Sequence, residues 1–182
     1  MPGMLRRLLG LRPNANRAVA DAVYARIVAA ARQPEFYADW DVPDTPLGRF
    51  EMLSLHVFLF MHRTRGGDQA LADLTQELTD EFFTDVDHSL RELGIGDMGI
   101  SKRMKKLARM FYGRAEAYDA ALQAGDAPAL AAAFQRNIRP DLKDWNGAGP
   151  LSLYAMDVER SLATQTSEDL LQGRVEFPSP VR

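Results

Sequence analysis

Apolar residues recur along this chain at intervals of three and four positions, the period of helices that bury one face. Alternation at every second position, the pattern of half-buried strands, is nearly absent. Asn14 or Asn16 can cap a first helix that continues to about Arg32, with Val23 and Ile27 facing inward. The pattern predicts an all-α fold, a single-domain bundle of about six helices.

The second predicted helix, residues 47–63, is apolar around its whole circumference. A helix of this kind lies buried at the centre of a protein. Thr45 is placed to cap it, and Pro46 occupies the first turn, where a missing backbone N–H costs nothing. The preceding segment, PEFYADWDVPDTP, reads as a loop whose aromatic residues pack back onto the helices. We therefore expect the other helices to surround residues 47–63.

The third predicted helix has Asp68 as its N-cap and Gly94 as its C-terminal cap, and its outer side is acidic. Its inward stripe consists of Leu71, Leu74, Leu78, Phe82, Val86 and Leu93. Asp97 or Ser101 can cap the fourth helix, and Asp126 can cap a fifth that Pro140 ends. A last helix follows Pro150. We expect a flexible basic segment over residues 1–15, a helical domain over 16–166 and a loose tail over 167–182.

The fourth helix contains the strongest charge pattern in the chain. Residues 101–114, SKRMKKLARMFYGR, hold six cations and no carboxylate, whereas the whole chain has a net charge of −3. At 100° per residue, most of these cations lie opposite the apolar arc that includes Met104 and Phe111. The predicted partner or anion-binding residues are Lys102, Arg103, Lys105, Lys106, Arg109 and Arg114.

Two explanations of this basic face remain open. It can be a solvated surface offset by acids of the preceding helix, or it can contact a polyanion or an acidic partner, because surface charge mainly guides encounter. Nucleic acid, anionic lipid and an acidic protein all satisfy the second explanation. No DNA-binding signature accompanies the face, so sequence-specific DNA recognition is not expected.

The chain contains no pattern that indicates catalysis. It has no cysteine, which excludes disulfides and thiol chemistry, and no apolar run approaches the ~18 residues that span a bilayer. Phosphate-binding loops, nucleophile elbows and metal-binding spacings are also missing. The acids near His88 fall on several faces of one helix and read as a solvated surface. We expect no catalytic residue, no cofactor and no metal.

Polar residues interrupt the otherwise apolar central helix. Arg49 and His56 share one face, and Glu51 lies on another. A charge buried without a partner is costly, so each of these groups should find a counter-ion or a carbonyl, or line a polar pocket. The sequence leaves both an internal network and a partner contact open.

Three segments together resemble the ubiquinol-cytochrome c chaperone family. They are FYADWDVPDTPLGRFEMLSLHVFLFMHR, LTQELTDEFFTDVDHSLRELGIGD and ISKRMKKLARMFYGRAEAYDAAL, within residues 33–125. The resemblance implies a non-enzymatic protein that binds newly made cytochrome b and helps to assemble the bc1 complex of the respiratory chain. It also implies a small partner subunit and a contact near the ribosomal exit. The sequence shows no long targeting presequence, and we therefore expect a bacterial member of the family.

The resemblance also selects residues as buried polar groups or client contacts, without a catalytic role for any of them. They are Arg49, Glu51, His56, Arg91, Glu92, Asp97 and Tyr118. We expect an assembly chaperone in the cytoplasm, peripheral to the inner membrane. The alternatives are a helical nucleic-acid-associated protein that uses the same basic face, and a helix-bundle metal-carboxylate enzyme. The second alternative would need Glu-x-x-His motifs, which the chain lacks.

Overall fold

A computed structural model describes residues 14–180, and its side chains from residue 16 onward. Within this range the chain is all-α and contains no strand. Its helices are α1 (Asn14–Ala31), α2 (Pro34–Ala38), α3 (Pro46–Thr64), α4 (Gln69–Glu92), α5 (Asp97–Gln123), α6 (Ala127–Ile138), α7 (Ala148–Thr164) and α8 (Ser167–Leu171). The basic segment predicted over residues 1–15 lies outside the described residues, apart from the start of α1. None of the described helices has the length and hydropathy needed to cross a bilayer.

Three predicted helix starts are confirmed by their capping hydrogen bonds. The side chain of Thr45 accepts from the Gly48 N–H at 3.1 Å, and Pro46 lies in the first turn of α3. Asp68 caps α4 in the same way, with an oxygen 3.0 Å from the backbone nitrogen of Leu71. Asp126 caps α6 through the N–H of Ala129. Side-chain oxygens thus satisfy backbone donors that have no partner within the helix.

The predicted cap of α5 is wrong. The N-cap is Gly96, which has no side chain to donate or accept, rather than Asp97 or Ser101. Asp97 instead lies in the first turn, where its carboxylate interacts favourably with the positive end of the helix dipole. The early start follows from Gly94, which turns the chain sharply with φ = 77° and lets a new helix begin within three residues.

Helix α3 is the centre of the bundle, as its composition predicts. It packs against α1, α4, α5 and α7, and these contacts cover most of its circumference. Met52, Val57 and Phe60 have no exposed surface at all. The prediction of an all-α domain built around residues 47–63 is confirmed.

The aromatic segment before α3 is only partly a loop, because Pro34–Ala38 forms the short helix α2. The expected packing is nevertheless present. Phe36 is fully buried, Trp40 is nearly so, and the Tyr37 hydroxyl donates to the Ala31 carbonyl at 3.0 Å. The Trp40 carbonyl also accepts from the indole N–H of Trp145 at 2.8 Å, which ties this segment to the region before α7.

Residues 167–180 are not the loose tail that the sequence predicts. Helix α8 contacts α4, and Leu170 and Val175 are both buried. The side-chain amide of Gln165 donates to the Glu176 carbonyl and accepts from the Glu176 N–H, at 2.8 and 3.0 Å. Two isolated apolar residues are too few to produce a periodic hydrophobic pattern in the sequence. Only the three-dimensional packing shows that this C-terminal segment is held against the bundle.

Gly48 supplies a test of the packing at the start of α3. A Cβ at this position would lie 1.9 Å from the Pro43 carbonyl oxygen, a backbone atom that cannot move aside. We expect Gly48→Ala to lower the free energy of unfolding by about 3 kcal/mol, measured in urea. Gly113→Ala is the control, because no outside atom lies within 4 Å of its Cβ and alanine favours the helix. Equal stability of the two variants would contradict this account of α3.

Candidate functional site

Five cations form an exposed ridge along α5, which we call the basic ridge. Its members are Lys102, Arg103, Lys105, Lys106 and Arg109. None of them has a carboxylate partner among the side chains that the structure describes. Ile100 and Phe111 lie on the opposite side of the helix and are buried. The ridge therefore faces solvent as the spacing predicts, whereas its binding role remains a prediction.

Arg114, the sixth cation of this stretch, does not belong to the ridge. Its side chain is only 14% exposed and forms an ion pair with Glu51 of α3, whose side chain is 2% exposed. The placement of Arg114 among the exposed anion-binding cations was therefore wrong. Helix periodicity could not reveal this, because a buried carboxylate on another helix draws the guanidinium inward.

The Glu51–Arg114 pair is the main buried charge of the bundle. Burial raises the pKa of Glu51 to about 7, although the charge of Arg114 and its hydrogen bond act in the opposite direction. Tyr118 lies one turn further along α5, where its hydroxyl accepts from the Asn137 amide at 3.2 Å. Burial, followed by the charge of Glu51, raises the pKa of Tyr118. These groups tie α3, α5 and α6 together.

His56 lies in a second internal network, formed by α3 and α7. Its Nδ1 is 2.7 Å from the Met52 carbonyl, which can only accept, so Nδ1 carries the hydrogen. Its Nε2, 2.8 Å from the Tyr154 hydroxyl, then accepts from that group. Burial lowers the pKa of His56 to about 4, so the ring is neutral at physiological pH. Phe36 and Phe177 pack around the ring.

The other four residues that the resemblance selects lie at the surface. Arg49 pairs with Asp44 at 2.6 Å. Arg91 pairs with Asp97 at 2.6 Å and with a neighbouring carboxylate on α4, and Glu92 lies 3.2 Å from the imidazole of His88. The seven residues therefore do not form one cluster. Glu51, His56 and Tyr118 belong to the interior, and the rest belong to exposed ion pairs.

A groove that the sequence analysis missed opens between α1, α3, α4 and α5. It has a volume of about 1000 Å³. The apolar residues that line it include Val28, Phe50, Leu53, Val86, Leu107 and Met110. Leu47 and Leu93 also line it and are more than half exposed, at 53% and 58%. The groove is thus a solvent-accessible concavity whose lining is mostly apolar.

Leu93 shows why the groove was missed. Its spacing of seven from Val86 predicted a core position, whereas Leu90 occupies the core in its place. Seven residues are slightly less than two helical turns, and Leu93 is already the C-cap beyond α4, so its side chain leaves the core. The one feature of the sequence that points to the groove is that the apolar stripe extends to the last residue before Gly94, at the very end of the helix.

The charged groups around the groove are unevenly paired. Each carboxylate has a partner: Asp44 pairs with Arg49, Asp85 accepts from the Tyr24 hydroxyl, and Glu92 lies beside His88. The groove is also lined by the cations Arg32, Arg103 and Lys106. These three cations have no carboxylate partner among the described side chains. The basic ridge thus borders an apolar groove, since Arg103 and Lys106 belong to both.

The buried ion pair leads to a pH-dependent prediction. Arg114→Met leaves the Glu51 carboxylate buried without a counter-ion, so we expect a loss of about 4 kcal/mol in unfolding free energy at pH 7.5. Without Arg114 the pKa of Glu51 in the folded state rises above 7, whereas the pKa of the same group in the unfolded chain is near 4.5. Between these two values the folded state binds a proton that the unfolded chain does not bind. Stability of the variant should therefore increase from pH 7.5 to pH 5, and by more than that of the wild type, in which the pKa of Glu51 is already raised to about 7.

Urea unfolding of wild type and variant at both pH values checks this prediction. The difference between the two proteins removes the contribution of His56, whose lowered pKa makes both of them less stable as the pH falls from 6.5 towards 4. Arg109→Met, which removes an exposed and unpaired cation, is the matched control and should change stability by less than about 0.5 kcal/mol. A loss for Arg114→Met that does not depend on pH would show that Glu51 is not the group responsible.

Comparisons with known proteins place this geometry in a family. Residues 38–177 match the model of the ubiquinol-cytochrome C chaperone family. The crystal structure of the Cbp3 homolog from Brucella abortus matches with a TM-score of 0.87 and 56% sequence identity, covering 96% of this chain and 97% of that one. Among proteins with curated descriptions, none gives a significant match. The resemblance seen in the sequence is confirmed: the chain belongs to the ubiquinol-cytochrome C chaperone family.

Proposed function

We propose that this protein is an assembly chaperone for the ubiquinol-cytochrome c reductase (bc1) complex and that its client is newly made cytochrome b. The proposal rests on the match of residues 38–177 to the chaperone family. A chaperone binds its client protein and does not need to catalyse a reaction. An open apolar groove and a face of unpaired cations are surfaces suited to such a role.

The client surface that we propose is the outer face of α4. Asp73 and Asp80 are exposed there, and Glu81 is half-exposed. Loops of integral membrane proteins on the cytoplasmic side are rich in Lys and Arg. An acidic helix face complements such loops, and the complementarity speeds encounter and fixes orientation. Cytochrome b loops would therefore meet α4 before its apolar helices enter the bilayer.

The basic ridge has a different partner in this proposal, the anionic surface of the inner membrane. Each Lys or Arg close to an anionic surface contributes about 1 kcal/mol of attraction. Because the five ridge cations have no described carboxylate partner, their charge is available to the lipid. The ridge would hold the chaperone at the cytoplasmic face of the membrane, where its client is inserted.

Deletion of the gene tests the chaperone role itself. We expect membranes of the deletion strain to contain much less b-type haem and bc1 complex, because the proposed client, cytochrome b, would lack its chaperone. Difference absorption spectra of the membranes and bc1 activity measure the loss. Reintroduction of the wild-type gene should restore both. Normal bc1 levels in the deletion strain would remove the basis of the proposal.

Charge reversal tests membrane attachment separately. We expect Lys102, Lys105, Lys106 and Arg109, all changed to Glu, to abolish salt-sensitive binding to vesicles that contain phosphatidylglycerol, because four attractive charges become repulsive. Co-sedimentation at about 0.1 M salt, near the ionic strength at which the Debye length is 10 Å, measures binding. Circular dichroism should show an unchanged fold, since all four side chains are exposed.

The matched control reverses four exposed cations elsewhere: Arg26, Arg136, Lys143 and Arg160. It makes the same change in net charge and should retain most of the vesicle binding. Equal losses in both variants would show that net charge, and not the ridge, governs attachment. If wild type binds purified ribosomes but not vesicles, ribosomal RNA rather than lipid is the anionic partner.

A further inference from the structure

We infer that the groove between α1, α3, α4 and α5 is a docking site for an amphipathic helix of a partner protein, one with a large aliphatic face and carboxylates along the flank that faces α5. This inference does not depend on the identity of the client. It follows from the shape of the groove, from its two exposed leucines and from the distribution of paired and unpaired charge around it.

The shape of the groove suits a helix. Four helices surround an apolar floor, and Leu47 and Leu93 remain 53% and 58% exposed beside it. A flat membrane surface cannot fill a concave groove. Small-molecule pockets bury most of their ligand, whereas this groove is partly open to solvent. An amphipathic helix laid into the groove would cover both leucines with its apolar face, as in other helix-in-groove complexes.

The charges give this helix its orientation. On the α5 side, Arg103 and Lys106 have no carboxylate partner among the described side chains, and the other basic-ridge residues are exposed on the same helix. On the α1 side, the single cation Arg32 lines the groove together with Asp85 of α4, so the formal charges on this side cancel, although the two groups form no ion pair. Acidic side chains of an occupant therefore gain most when they point toward α5, because opposite charges across an interface fix its register.

The same charges argue against other occupants. Basic client loops would meet Arg103 and Lys106 with like charge. The chain's own N-terminal stretch, MPGMLRRLLGLRP, contains Arg6, Arg7 and Arg12 and no acid, so it does not complement the groove either. An acidic amphipathic segment of another protein satisfies both the apolar floor and the cationic wall.

Designed peptides test the inference on the full-length protein. Three labelled helical peptides of about 15 residues share one leucine face, and their flanking positions carry Glu, Gln or Lys. Fluorescence anisotropy should rank their affinities as Glu, then Gln, then Lys. Rising salt should reduce the preference for Glu, because exposed charges are screened. Equal affinity for the three peptides would overturn the charge argument.

Two pairs of variants locate the binding site. Leu47→Ser with Leu93→Ser should weaken the Glu peptide about tenfold, equivalent to 1.4 kcal/mol. Leu153→Ser changes a leucine that is 62% exposed on α7, outside the groove, and should have no effect. Arg103→Gln with Lys106→Gln should remove most of the preference for Glu over Gln. Lys102→Gln with Lys105→Gln, which removes the same charge from ridge positions that do not line the groove, should remove less of it.

The contrary outcomes are distinct from one another. Unchanged peptide affinity in the Leu47→Ser, Leu93→Ser protein would show that the groove is not the docking site. Displacement of the Glu peptide by monomeric short-chain phosphatidylglycerol, with lipid binding that the same two substitutions weaken, would identify a lipid site and overturn the inference of a helix. The altered leucines are exposed, so a preserved circular dichroism spectrum is expected and separates lost binding from lost fold.

Discussion

The nearly complete burial of residues 50–60, the middle of α3, is the constraint on which the rest of this structure depends. A helix that is apolar on every side cannot remain at a surface, so α1, α4, α5 and α7 must all pack against it. Each large side chain buried in this way contributes about 1.5–3 kcal/mol. The same burial requires a partner for each polar group that α3 carries inward. Glu51 finds Arg114, and His56 finds the Tyr154 hydroxyl and the Met52 carbonyl.

The Glu51–Arg114 pair connects the core to the surface that we propose for binding. It fixes the rotation of α5 about its own axis, because the guanidinium must face α3. Arg103 precedes Arg114 by eleven residues, which is close to three full helical turns, so it lies on nearly the same side of the helix. Arg103 therefore stands at the edge of the groove, while Lys102, Lys105 and Arg109 face solvent. A buried charge thus determines where an exposed one is presented.

The surfaces of this protein divide by charge. The outer face of α4 is acidic, the exposed face of α5 is basic, and the apolar groove lies between α1 and α5 with its cationic side on α5. In the chaperone role that we propose, the client, the membrane and a partner would each require a separate contact. Segregated charge supplies such contacts without a change in fold, because screened electrostatics acts within about 10 Å of each surface.

The sequence by itself determined the local features of this protein. The spacing of the apolar residues and the capping residues predicted the all-α class, the central helix and the helix starts at Thr45, Asp68 and Asp126. These features depend on neighbours within one or two helical turns. Ordered motifs identified the family. Only the tertiary structure decided that Arg114 turns inward, that Leu93 lines a groove, and that Leu170 and Val175 close the C-terminal segment onto the bundle. Each of these outcomes is set by a partner that is distant along the chain, and the periodicity of a single helix contains no information about such a partner.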